Sequence, residues 1–159
     1  MTIETDQIDL KILVELQKNS SLSNKELAEL VGISAPSCLR RTKELQKNGF
    51  LLGCHAKVNP ALLNLDLTIY CNVVLEHNTY DSMSHFTESM NTIPCVRECH
   101  MVTGTFDFLL KIIVPDIKAY TNFVTNNLVS TKNISKIISL MLVQTTKNEP
   151  GIPLELLIV

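Results

Sequence analysis

The chain has 159 residues, 45% hydrophobic and 19% charged, which suits one ordinary domain or two small ones with packed cores and excludes a disordered tail. A formal net charge of −2 excludes a uniformly polybasic coat on nucleic acid, because sequence-independent attraction to phosphate comes from Lys and Arg. The acidic first residues lack an apolar signal core and no run approaches the roughly 20 apolar residues of a membrane span, so a soluble cytoplasmic protein with no membrane partner is expected. The 5 cysteines, odd in number and in apolar surroundings, are expected as reduced thiols.

In chain order, Asp6 can cap a first helix whose Ile8, Ile12, Leu13 and Leu16 recur at helical spacing. Ser23 and Glu26 have the S-x-x-E spacing of a capping box, so a second helix begins there, buries Leu27, Leu30 and Val31, and ends at Gly32. Ser34 can cap a third, with Pro36 tolerated in its first turn and Gly49 closing it. In that helix Cys38, Thr42 and Leu45 form one stripe with Leu39 beside it. Between Ser34 and Lys47 stand four basic residues, Arg40, Arg41, Lys43 and Lys47, against one acidic residue, Glu44. A short helix, a Gly turn and a second helix with a focused positive field is the arrangement that enters the major groove of DNA, here over about residues 24–43. Ser34, Ala35, Pro36 and Ser37 at the start of that helix are candidates for groove and phosphate contact, with Asn24 and Lys25 on the preceding helix reaching backbone phosphates. Phe50 to Val58 reads as two short extended pieces around Gly53, completing a winged helix-turn-helix domain over residues 1–60.

From residue 61 to 159 the periodicity changes. Leu67 to Leu75 alternates with period two and predicts a strand, and Tyr80 to Asn91 returns to helical spacing with Met83, Phe86 and Met90 on one face. Cys95–Thr103 and Phe106–Val114 read as strands joined by the two-residue hairpin Gly104-Thr105. Asp116 caps a helix burying Ile117, Tyr120, Val124 and Leu128, before a last strand from Ile134 to Val143. Strand, helix, two strands, helix, strand is the order of a ferredoxin-like βαββαβ (RAM/ACT-like) sandwich, so the chain is α+β overall. The strands are apolar on both faces over much of their length, which predicts that the uncovered face meets another subunit. The apolar segment Gly151–Val159 is expected to add an edge strand or pack on a neighbour.

Catalysis and metal binding find no footing. Cys95 and Cys99, four apart on a strand, are separated by about 13 Å, and His100 faces away from Cys99. His55, His77 and His85 lack ligand spacing, and there is no Gly-rich phosphate loop or Ser/His/Asp signature. No enzyme, no catalytic residue, no metal and no cofactor are expected.

IDLKILVELQKN, NKELAELVGIS-x-x-x-CLRR, KNGFLLG and, far downstream, ECHMVTGTFDFLLKIIVPDIKAY together resemble the Lrp/AsnC (feast/famine) family of transcriptional regulators, in the same order and over nearly the whole chain. The resemblance implies an N-terminal DNA-binding domain and a ligand-sensing, dimerising domain of ferredoxin-like topology. It also implies homodimers assembling into rings, often octamers, and small molecules, usually amino acids, bound between subunits. The family's G-x-x-D element corresponds here to Gly104, Thr105, Phe106 and Asp107, with Thr105 standing where many members carry an acid. The chemistry agrees: Asp107 can accept an ammonium group, and the N–H groups of Gly104, Thr105 and Phe106 can receive a carboxylate. Met101, Ile117, Leu140 and Leu142 are the candidates for side-chain specificity, by strand position and family analogy, with leucine, methionine or another apolar amino acid as the expected effector. Two functions follow: a sequence-specific regulator of transcription that responds to a free amino acid, or an architectural nucleoid-type protein that wraps double-stranded DNA with low sequence preference.

Overall fold

Two capping boxes open the chain's first two helices. Helix α1 (Gln7–Lys18) starts where the Asp6 carboxylate accepts the Asp9 N–H at 2.8 Å while the Asp9 carboxylate accepts the Asp6 N–H at 3.4 Å. Helix α2 (Asn24–Val31) starts at the reciprocal pair Ser23–Glu26 and stops at Gly32. Helix α3 (Ala35–Lys47) carries Pro36 in its first turn. Ser34 has the expected extended backbone at its N-cap, but its hydroxyl makes no capping bond. Pro36 explains this, since it occupies one of the two positions whose N–H such a cap would take and has none to offer.

This computed structural model describes residues 5–131, 133–149 and 151–157. They divide into two units, one of residues 5–57 with 147–149 and 151–157, the other of residues 58–131 with 133–146. In the first, Ile12, Leu13, Leu16, Leu27, Val31, Cys38 and Leu45 form the core. Leu30, expected inside, and Leu39, expected beside the buried stripe, are 58% and 45% exposed. At about 100° per residue Leu30 and Leu39 stand well round the helix from the centres of the Leu27–Ala28–Val31 and Cys38–Leu45 faces.

Residues 50–58 enter no strand ladder among the described residues, and the Phe50 and Leu51 N–H groups turn back to the Leu45 carbonyl, at 2.9 and 3.3 Å, to close α3. One expectation for this unit is corrected. The C-terminal segment neither adds an edge strand nor stays with residues 61–146. The Gln17 side-chain amide donates to the Ile152 carbonyl at 2.7 Å and accepts the Ile152 N–H at 3.1 Å, and Leu154 is buried in the helical core. An apolar seat and a paired backbone bring the segment back to α1.

The second unit is a sheet with helices on one face. Strands β1 (Leu67–Leu75), β2 (Val96–Met101), β3 (Phe108–Val114) and β4 (Ile134–Met141) run antiparallel in the order β2-β3-β1-β4. Helix α4 (Tyr80–Asn91) joins β1 to β2, and α5 (Ile117–Phe123), prolonged by a π-helical turn Val124–Val129, joins β3 to β4. This is the βαββαβ order the period-two and helical segments predict. Ile69, Cys71, Val73, Leu75, Phe108, Leu110 and Ile112 point to Phe86, Met90, Tyr120, Phe123 and Leu128 in one core. Ile117, expected inside, is 57% exposed because Phe123 takes the inner position on α5. The opposite sheet face carries Tyr70, Val74, Leu109, Ile113, Ile138 and Leu140 beside the cross-strand pair Glu98–Lys111, whose charged atoms are 2.7 Å apart. Among the described residues no helix is long and apolar enough to cross a membrane.

Candidate nucleic-acid interface and ligand-binding loop

Helix α3 sorts its cations by angle. Pro36, Arg40, Lys43 and Lys47 fall within an arc of about 60° on a helix turning about 100° per residue, and all four are exposed. Lys43 and Lys47 make no ion pair among the described residues. Arg40 meets the Glu44 carboxylate at 3.0 and 3.1 Å, one turn on. Both side chains are more than half exposed, so this pair contributes only about 0.3–0.5 kcal/mol and yields readily to a phosphate or a guanine.

Arg41 is a correction. It lies about 100° round from Arg40, and its Nη1 donates to Asp6 Oδ2 at 2.7 Å and Asp9 Oδ1 at 2.8 Å. The guanidinium is only 21% exposed and sits on both carboxylates of the α1 capping box, so it braces α3 against α1 rather than facing solvent. The Asp9 N–H, and after it the Arg41 guanidinium, hold the Asp6 carboxyl below the usual carboxylate range, and the two carboxylates raise Arg41 further.

Two more candidates turn inward. The Asn24 amide donates to the Ala35 carbonyl at 2.8 Å and ties the start of α2 to the start of α3, while Ala35 packs on the helical core. Ser37 is half-buried; Ser34 and Lys25 are exposed. The structure therefore presents Lys25, Ser34, Pro36, Arg40, Lys43 and Lys47 to solvent from the helix-turn-helix and withdraws Asn24, Ala35 and Arg41.

The loop around Gly104 is longer than the two residues expected. β2 ends at Met101 and β3 begins at Phe108; the Val102 N–H meets the Asp107 carbonyl at 2.9 Å, closing a loop over 103–106. Gly104 has φ +120°, a conformation that L side chains rarely adopt. The N–H groups of Gly104, Thr105 and Phe106 have no protein acceptor among the described residues. The Asp107 carboxylate accepts the Leu75 N–H at 2.8 Å and the Asn78 amide at 3.0 Å, and the Asp107 N–H donates to the Val73 carbonyl at 3.0 Å. These bonds fix the carboxylate at the end of β1, and each oxygen keeps a lone pair for a further donor. Asn78 and the Leu75 N–H are partners that spacing could not reveal, since they come from a segment about 30 residues upstream, as the separations of 32 and 29 show. Beside Leu75 opens a cleft of about 580 Å³ with an apolar floor at Phe86 and a rim of His77, Ser82, His85 and Asn133.

The expected specificity residues do not converge within one chain. Met101 lies on β2 and Leu140 on β4, opposite edges of the sheet and roughly 14 Å apart across three strand spacings. The Leu142 N–H donates to the Thr68 carbonyl at the start of β1, whereas Asp107 holds Leu75 at its end, a separation of roughly 23 Å along the strand. Ile117 also lies beyond the Val114 end of β3, away from the loop.

Residues 5–51 match the model of a winged helix-turn-helix DNA-binding domain, and residues 68–152 match that of the Lrp/AsnC ligand binding domain. The chain belongs to the Lrp/AsnC family. Lrp/AsnC proteins are DNA-binding transcription regulators, and this chain has both of their domains in order. It is 38% identical over 146 residues to the leucine-responsive regulatory protein of Rhizobium meliloti (strain 1021), covering 92% of this chain and 94% of that one. It is 33% identical over 144 residues to the leucine-responsive regulatory protein of Escherichia coli K12, covering 91% and 88%. The crystal structure of a Neisseria meningitidis transcriptional regulator in complex with L-Met superposes with a TM-score of 0.92 at 32% identity, over 97% of this chain and 99% of that one. An AsnC family transcriptional regulator from Agrobacterium tumefaciens superposes at 0.89 with 28% identity, over 96% and 99%.

Proposed function

We propose that this Lrp/AsnC regulator is a cytoplasmic, sequence-specific DNA-binding protein whose assembly or DNA affinity responds to a free apolar amino acid, leucine or methionine. The exposed stripe of Pro36, Arg40, Lys43 and Lys47 on α3 carries the DNA-binding half of this reading. Arg40, once released from Glu44, is the base reader. Lys43, Lys47 and Lys25 neutralise phosphates, and the Ser34 hydroxyl is available to a phosphate oxygen. The ligand half rests on the Gly104–Asp107 loop, whose unengaged N–H groups suit a carboxylate and whose Asp107 suits an ammonium. The relatives' names point the same way, being leucine-responsive proteins and a regulator crystallised with L-Met. Met101, Ile117, Leu140 and Leu142, separated in one chain, serve the site only when a second copy brings its own set to the loop, which accords with homodimers assembling into an octamer.

Gel shift and footprinting on promoter fragments, the gene's own included, test the DNA half. A salt-sensitive, sequence-selective shift is expected, with half-sites about one helical turn, roughly 34–36 Å, apart or a multiple of that. A shift that nonspecific competitor removes at physiological salt would favour the architectural alternative. A thermal-shift screen of the twenty amino acids tests the other half, since a ligand at 100 times its dissociation constant stabilises the fold by about 2.7 kcal/mol.

A further inference from the structure

Leu39 is the fifth residue of α3, 45% exposed on the cationic side of the helix. The core beneath α3 is filled by Cys38 and Leu45, with Ala35 packed on it, and Leu39 is absent from it. On the wheel it stands about 40° from Lys43 and about 60° from Pro36, extending the exposed arc of Pro36, Arg40, Lys43 and Lys47. An apolar side chain left nearly half exposed outside the core, placed among cations in the first half of a recognition helix, suits a partner that is polyanionic yet locally apolar. A second protein surface does not fit, because Arg40, Lys43 and Lys47 would then lose water against it without phosphates to meet them. The major groove of DNA supplies both properties: phosphates line it, and the thymine C5-methyl group is the apolar group projecting into it. The first turns of a recognition helix are also the part that reaches base edges.

We propose that Leu39 is a specificity-determining residue that reads thymine, closing over the C5-methyl group while Arg40 and the lysines supply the hydrogen bonds and phosphate contacts. This rests on the DNA-binding reading above and adds a base preference to it: each half-site carries a thymine one or two pairs from the guanine that Arg40 contacts.

The test uses the full chain and a duplex that it footprints. Each thymine in the footprint is replaced singly by deoxyuridine, which removes the methyl group and leaves every hydrogen-bonding atom in place. Wild-type protein is expected to lose about fourfold in affinity at one position per half-site, the effect of exposing one methyl-sized apolar group. Leu39→Ala binds the thymine duplex about fourfold or more weakly and no longer distinguishes thymine from uracil there, while the slope of log K against log salt is unchanged because no phosphate contact is lost. Leu39→Met, which keeps the apolar reach, retains the discrimination. Indifference of the wild type to every thymine-to-uracil change overturns the proposal, as does full discrimination by Leu39→Ala. Absence of any wild-type footprint overturns the DNA-binding reading itself, a result distinct from an intact footprint that is blind to the methyl groups.

Discussion

Arg40 and Arg41 are neighbours in sequence with different surroundings. A helix turns about 100° between them, which leaves Arg40 with the exposed cations and delivers Arg41 to Asp6 and Asp9 at the start of α1. Charge count alone groups them; angle and the α1 capping box separate them. Arg41→Ala should therefore act on stability, lowering it by about 1–2 kcal/mol, below the upper range for charged hydrogen bonds because Asp6 is half exposed. The slope of DNA affinity with salt should stay as in the wild type. Lys43→Ala should do the reverse, leaving the urea midpoint in place and reducing that slope by about 1. Acid supplies a further check. Asp6 is held below its ordinary range in the folded state, so its contribution is present above that range and disappears as pH falls through the depressed value. The stability gap between wild type and Arg41→Ala, read from urea midpoints, should be full at neutral pH and narrow as the pH falls through the depressed Asp6 value, by the share of that depression that Arg41 supplies. Glu44→Ala frees Arg40 from its intrahelical partner, so a modest gain in DNA affinity, about twofold, is expected by gel shift.

At the scale of elements, the segment after β4 is the clearest departure from what the chain's pattern suggests. It runs back to α1, where Gln17 pairs with both backbone groups of Ile152 and Leu154 enters the helical core. Leu154→Ala should destabilise the helix-turn-helix unit by about 2–3 kcal/mol, the lower part of the range for buried Leu→Ala because Leu154 opens a single short turn, Leu154–Leu157, that can settle into the space left. Hydrogen exchange should show the loss concentrated in α1 and α2 amides, with the β1–β4 amides unchanged. The strands and helices were legible because each has a long run of one periodicity: β1 alternates through nine residues, and α1 and α2 announce themselves with capping boxes. Illegible were features that depend on partners distant in sequence. Leu154 has an apolar neighbourhood in any strand or core, and only the fold decides that α1 provides it. The loop after β2 reads as a two-residue hairpin because Gly104 is a good turn residue; the fold lengthens it, since Asp107 is required by Val73, Leu75 and Asn78. The ligand residues split the same way. The loop itself was visible as a motif, whereas the scattering of Met101, Ile117, Leu140 and Leu142 follows from strand order, which no local pattern encodes.

For the molecule as a whole, the question is how a bound amino acid is registered, and Asp107 is where it becomes testable. Its carboxylate serves the fold, by accepting the Leu75 N–H and the Asn78 amide, and by the proposal above it also serves the ligand's ammonium group. Asp107→Ala would confuse the two roles by leaving the Leu75 N–H without its acceptor. Asp107→Asn separates them, because the remaining carbonyl oxygen can keep the 2.8 Å bond to Leu75 while the negative charge that attracts an ammonium is gone. The variant should unfold within about 1 kcal/mol of wild type and bind operator DNA equally well without amino acid. Its thermal midpoint should no longer rise when leucine or methionine is added at concentrations that saturate the wild type, and the ligand-induced change in DNA affinity should vanish with it. A chain that does not bind the amino acid has no effect to pass on, so both losses follow from one cause; where the ligand still binds, whatever factor it applies to DNA affinity, DNA applies to ligand affinity. A variant that kept its thermal shift yet lost its DNA response would place Asp107 in the transmission of the signal, and one that kept both would move the ammonium site elsewhere.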